Sequence, residues 1–151
     1  MPAYLVVIDE SEEARSALRF AARRAARTGS SVEIVALIPP ADFVQWGAVQ
    51  AAMEEEARLR AEAKVLQASG AIIEEAGIRP SITVKQGEPV KEVTAILKER
   101  EDIAALVLGA AAEGGPGPLV SHFAGTVAGS LPCPVIIVPG GLPDETLDRL
   151  S

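Results

Sequence analysis

The residues best placed to do chemistry are glycines. Gly109 closes the apolar run Leu106-Val107-Leu108, and Gly114-Gly115-Pro116-Gly117-Pro118 follows it. A helix-like segment begins near Leu119, and a second apolar run, Val135-Ile136-Ile137-Val138, comes after that. Strand, glycine loop and helix in this order are how an α/β protein builds an anion site. The N–H groups of the loop and of the helix N-terminus point at the ligand, and glycine lets the ligand come close. Asp9, at the end of the first apolar run, presents a carboxylate and a backbone to the same crevice, or else caps the helix ahead of it. Ser121 and His122 are adjacent, but a nucleophile needs a base within hydrogen-bond reach and a third group to orient that base. There is no second histidine and no Gly-x-Ser-x-Gly elbow, so no catalytic residue is assigned. The Ser121 hydroxyl and the N–H groups of Ser121 and His122 are kept as phosphate contacts. Cys133, between two prolines and without a basic neighbour, reads as a packing residue.

Charge and composition exclude several classes. The net charge is −7, which argues against non-specific nucleic-acid binding, since that depends on Lys and Arg neutralising phosphates. One cysteine and one histidine give no disulfide and no cysteine- or histidine-based metal site. No apolar run reaches the roughly 18 to 20 residues that span a bilayer. Met1 leads directly into strand-like sequence with no basic region before it, so a cytoplasmic location without membrane attachment is expected. At 151 residues the chain suits one domain.

The elements that must position these groups alternate. Tyr4 to Ile8 is a continuous apolar run, as in a strand covered on both faces. Ser11 is placed to cap a helix reaching Thr28, with Glu12 and Glu13 in its first turn and Gly29 stopping it. Val32 to Ile38 is a second strand, and residues 41–47 are irregular. Residues 48–76 read as one long helix, Ile82 to Val84 as a third strand, and Gly87-Glu88-Pro89 as a turn into a helix reaching Arg100. Ala104 to Leu108 is the fourth strand. A helix from about Leu119 to Ser130 and the strand Val135 to Val138 complete the domain at about residue 141. A tail over residues 142–151 includes a short helix. Strands separated by helices pair in parallel through right-handed crossovers, giving a doubly wound, three-layer α/β sandwich. Its ligand crevice lies beyond the carboxyl ends of the strands, at Asp9, Ile38, Gly87 and Gly109.

Taken together, these pieces resemble the universal stress protein family. Val6-Val7-Ile8-Asp9 resembles the family's first strand and its acidic residue, and Val84-Lys85-Gln86-Gly87-Glu88-Pro89 its third strand and Gly-x-Pro turn. Leu106-Val107-Leu108-Gly109 resembles the fourth strand, and Pro132-Cys133-Pro134-Val135-Ile136-Ile137-Val138-Pro139 the last. The resemblance implies a five-stranded parallel sheet with about four flanking helices, of the adenine nucleotide alpha-hydrolase type. It implies a homodimer joined through Val135, Ile136, Ile137 and Val138. It also implies an adenine nucleotide, ATP with magnesium or else AMP or ADP, at Asp9, Ile38, Gly87, Gly109, Gly114, Gly115, Gly117, Ser121 and His122. Turnover, if any, is expected to be slow, because no general base is evident. ATP-binding members carry Gly-x2-Gly-x9-Gly-Ser/Thr after strand four. Here Ala112 stands at the second glycine, and the third falls at Ser121 or His122. The alternative is therefore a nucleotide-independent interaction module. It would use the stripe Arg15, Arg19, Arg23 and Arg27, or the segment with Phe43, Val44 and Trp46, to hold an unidentified protein.

Overall fold

In the computed structural model, which describes residues 2–9, 11–38 and 48–151, alternate residues of one central strand feed two separate cores. Strand β1 (Ala3–Ile8) is buried along its whole length. Tyr4, Val6 and Ile8 pack on one side of the sheet, while Ala3, Leu5 and Val7 pack on the other. This is the period-two alternation of a strand covered on both faces.

Helix α1 (Glu12–Thr28) covers the first side with an alanine-rich stripe, Ala14, Ala17, Ala21 and Ala25, which lets the helix sit close to the sheet. Gly29 ends it in the left-handed conformation at φ 69°, and its N–H reaches the Ala25 carbonyl. Strand β2 (Ser31–Ile38) follows, then the long helix α2 (Ala48–Ala76), which joins the same core through Val65 and Ile72. Strand β3 (Ser81–Gln86) leads to helix α3 (Pro89–Glu99), whose Val93, Ile96 and Leu97 fill the opposite core. Strand β4 (Ile103–Ala110), helix α4 (Pro118–Phe123) and strand β5 (Val135–Pro139) come next, and helix α5 (Asp144–Leu150) returns to the first side with Leu147 buried.

All strands are parallel in the order β3-β2-β1-β4-β5. The direction of winding therefore reverses between β1 and β4, which opens a crevice at their carboxyl ends. The β1–β4 register slips by one residue between Ala3 and Tyr4. The slip turns Ile103 to the α3 side and Ala105 to the α1 side, although the two are only two residues apart. Strand β5 is a sheet edge.

Two local expectations are corrected. The helix expected to run to Ser130 stops at Phe123, and a single 3-10 turn, Ala128–Ser130, follows. Gly125 and Gly129 are poor helix formers, and the backbone there relaxes into tighter bonds such as Ala128 N–H to the Gly125 carbonyl at 3.1 Å. Ser11 does sit at the N-cap of α1, but its side chain caps nothing there. Its hydroxyl donates back to the carboxylate of Asp9.

Candidate functional site

The carboxyl ends of β1, β2 and β4 are lined by residues that form an open cleft of about 320 Å³, at the small end of ordinary ligand pockets. Val7, Leu37, Leu108, Leu119 and Val120 give it apolar walls. Asp9, Ser11, Glu13 and Ala14 come from the β1–α1 turn, Gly87 and Pro89 from the β3–α3 turn, and Pro116, Gly117 and Pro118 from the loop before α4. The cleft thus brings together four of the residues singled out in the sequence: Asp9, Gly87, Gly109 and Gly117. Gly114, Gly115, Ser121 and His122 are not among its lining. Ser121 is exposed on α4, and the His122 ring sits edge-on to Phe123 with 4.9 Å between centroids. Ile38 ends β2, one residue beyond Leu37, and its side chain is outside the described atoms. Phe43, Val44 and Trp46 lie outside the described residues.

The local chemistry explains why each piece stands there. The Asp9 carboxylate accepts the Ser11 N–H at 2.8 Å and the Ser11 hydroxyl, closing a turn that sends the chain into α1. Gly109 is needed for packing: a Cβ there would lie 2.0 Å from the Glu13 carbonyl oxygen, so only glycine lets the first turn of α1 rest on β4. Gly140, next to it at the end of β5, does the same, with its would-be Cβ 2.8 Å from the Glu13 Cβ. Glu13 therefore rests against two neighbouring glycines at the cleft, a contact the sequence did not flag. Gly117, at φ 100°, turns the loop into Pro118, the first residue of α4. The glycine that opens the helix is thus Gly117, several residues before the Ser121–His122 position that the spacing suggested.

Of the three helix N-termini at the cleft, that of α3 is capped by a side chain, while those of α1 and α4 have no side-chain cap. At α3 the Glu88 carboxylate accepts the N–H groups of Val90 at 3.1 Å and Lys91 at 2.9 Å, and Pro89 has no N–H to give. At α1 the first turn carries Glu12 and Glu13. Pro116 and Pro118 remove two donors from the loop before α4. Among the described residues, no group of three or more His, Cys, Asp or Glu is placed to hold a metal ion.

The arginine stripe has its partner within the chain. Arg19, 8 % exposed, donates two bonds to Asp148, at 2.8 and 2.9 Å, and one to Glu75 at 3.3 Å. Arg15 pairs with Asp144, Arg23 with Asp148 and Glu75, and Arg27 donates to the backbone carbonyls of Ser151 and Asp148. The guanidinium of Arg19, helped by Arg23 and Arg27, holds the Asp148 carboxyl below its usual range. These partners come from α5 and α2, far from α1 in sequence. The stripe is a seam that fastens α5 to α1. Cys133 is half-buried, and burial pushes its thiol up, away from reactivity.

A five-stranded parallel sheet with a cleft at its switch point defines a doubly wound α/β protein. Within that class, the profile of the universal stress protein family matches residues 3–139, and the chain belongs to this family. Solved structures agree in fold. The universal stress protein UspA from Lactobacillus plantarum is 19% identical with a TM-score of 0.69, the match covering 91% of this chain and 97% of that one. A universal stress protein in complex with cAMP is 18% identical with a TM-score of 0.60, over 91% of this chain and 96% of that one. The universal stress protein from Archaeoglobus fulgidus in complex with dAMP is 22% identical with a TM-score of 0.52, over 91% and 97%. No curated protein matches the chain.

Proposed function

We propose that this protein is a cytoplasmic, homodimeric stress-response regulator whose cleft binds an adenine nucleotide as a regulatory ligand. The observation that carries the reading is the position of the cleft, beyond the carboxyl ends of β1 and β4 with Asp9 and Gly109 in its walls. Its apolar sides, Val7 and Leu37 with Leu108, Leu119 and Val120, suit a flat base, and Asp9 is placed to accept from a ribose or an exocyclic amine. Relatives solved with cAMP and dAMP support the same ligand class. ATP with magnesium is the form that the family resemblance implies, with AMP and ADP beside it. Ser121 is exposed on α4 and the His122 ring packs against Phe123, which fits a regulatory rather than a catalytic role.

Calorimetric titration of the nucleotide-free protein tests the reading. Micromolar heat with an adenine ligand is expected, and the absence of both heat and thermal stabilisation up to millimolar ligand sinks it.

The sheet edge supports the homodimer. Val135, Ile136, Ile137 and Val138 form a short apolar strand with one side unpaired among the described residues, and Ile137 is 40% exposed. Pairing with the same strand of a second copy covers it. Sedimentation is expected to give a dimer, and Ile137→Lys a monomer. A monomeric parent protein rejects this part.

A nucleotide-independent interaction module is the second reading, favoured by Pro116 and Pro118, which strip donors from the loop. The arginine stripe is an unsuitable docking surface for it, because α5 already covers it.

A further inference from the structure

We infer that the cleft selects the nucleoside end of its ligand and disfavours added phosphates, so that adenosine binds more tightly than ATP. The inference rests on the adenine-ligand reading above and concerns which adenine compound the site takes.

Three independent features of this chain point the same way. First, the charged residues lining the described wall, Asp9 and Glu13, are both acidic, and no lysine or arginine joins them. The cations that follow Glu13 on α1 pair elsewhere, Arg15 with Asp144 and Arg19 with Asp148 and Glu75, and Lys85 and Lys91, two residues from Gly87 and Pro89, are exposed and outside the lining. Second, the N-termini of α1 and α3 already carry the chain's own carboxylates, Glu12 and Glu13 on α1 and Glu88 on α3, while the six-residue α4, opening on Gly117 and Pro118, has no side-chain cap. Third, the segment that would cradle phosphates alternates proline with glycine, and Pro116 and Pro118 have no N–H to donate. A phosphate placed here meets negative charge with few donors to offset it, whereas the apolar walls remain available to a purine. The altered glycine pattern after β4 is thus a change of ligand charge rather than loss of the pocket.

The test is calorimetry on the full chain with adenosine, AMP, ADP and ATP, first in EDTA and then with magnesium. Affinity is expected to fall by about tenfold for each added phosphate in EDTA, from like-charge repulsion at short range. Raising the salt from about 0.05 to 0.5 M is expected to strengthen ATP binding severalfold and leave adenosine unmoved, because screening relieves repulsion. A built phosphate site gives the opposite sign. In the double variant Asp9→Asn with Glu13→Gln, which retains the Ser11 acceptor and the Glu13 Cβ, the ratio of adenosine to ATP affinity should narrow by about tenfold or more. ATP binding as tightly as adenosine, with or without magnesium, overturns the inference and leaves the adenine reading standing. So does ATP binding that weakens with salt. Silence with every compound removes both.

Discussion

Two regions of helix α1 treat negative charge in opposite ways. Along the seam with α5, the carboxylates of Asp144, Asp148 and Glu75 each meet at least one guanidinium. At the N-terminus of the same helix, Asp9 and Glu13 line a cleft that holds no cation among its described residues. Of the five arginines on this helix, the four spaced one turn apart from Arg15 to Arg27 turn toward α5, and Arg24 is exposed. The difference teaches where charge is structural. In the seam, ion pairs fasten a seven-residue helix that has a single buried side chain of its own, Leu147. In the cleft, Asp9 accepts only from Ser11, and neither Asp9 nor Glu13 meets a cation among the described lining residues.

Gly109 is where the comparison breaks most violently, because it fixes how α1 sits over both regions. In Gly109→Ala the new methyl would meet the Glu13 carbonyl oxygen, a backbone atom that cannot rotate away. A loss of about 3 kcal/mol or more is expected, from overpacking of a tight helix–strand contact. The same change should also alter ligand binding, so it does not by itself report on phosphate contact. Chemical denaturation checks the figure. A variant as stable as the parent shows that α1 can lift off β4 freely, and that the cleft is softer than its geometry implies.

Arg19→Met comes next. The thioether chain keeps much of the apolar stem packed while removing the charge from Asp148, Asp144 and Glu75. A cost of about 2 kcal/mol is expected, mostly from the partly buried Asp148 losing two charge-assisted hydrogen bonds. The exposed pair Arg58–Glu55 on α2 is the control, and its removal should cost far less than Arg19→Met. Equal costs at the two places remove the distinction between a working seam and an ordinary solvated surface.

The sheet was legible because its strands are unbroken apolar runs such as Leu5 to Ile8, and a fully buried parallel strand has no other reading between a helix and a turn. The crevice was legible in part, since Asp9, Gly87 and Gly109 stand at strand ends whatever the details. The rest depends on contacts that no local pattern carries. Arg19 and Asp148 are 129 residues apart, so no local pattern pairs the stripe with α5, and it stood as a candidate docking surface. Gly109 looked like a phosphate glycine because the tight neighbour, the Glu13 carbonyl, belongs to another element. The end of α4 did leave a local signal: Gly125 and Gly129 weaken any helix drawn through them to Ser130. Glu13 was counted as a first-turn charge, and only the fold shows it against Gly109 and Gly140.

The finest test exchanges an aspartate for asparagine on each side of the comparison. Asp148 accepts from Arg19 and lies beside Arg23 and Arg27, and these cations lower its carboxyl below the ordinary 3.8. A group whose folded pKa is depressed contributes stability that is fully present above the unfolded pKa and is lost as the pH falls through the folded one. Asp148→Asn is therefore expected to cost about 1 kcal/mol near neutral pH, with the cost fading as the pH drops below about 4. Asp9→Asn keeps the side-chain oxygen that accepts from Ser11, and its cost near neutral pH should stay below about 0.5 kcal/mol. Melting temperatures of the two variants against the parent give the answer, with the Asp148 series carried down through the carboxylate range. If Asp9→Asn proves as costly as Asp148→Asn, Asp9 is holding the fold together, and the negative charge of the cleft is structural after all.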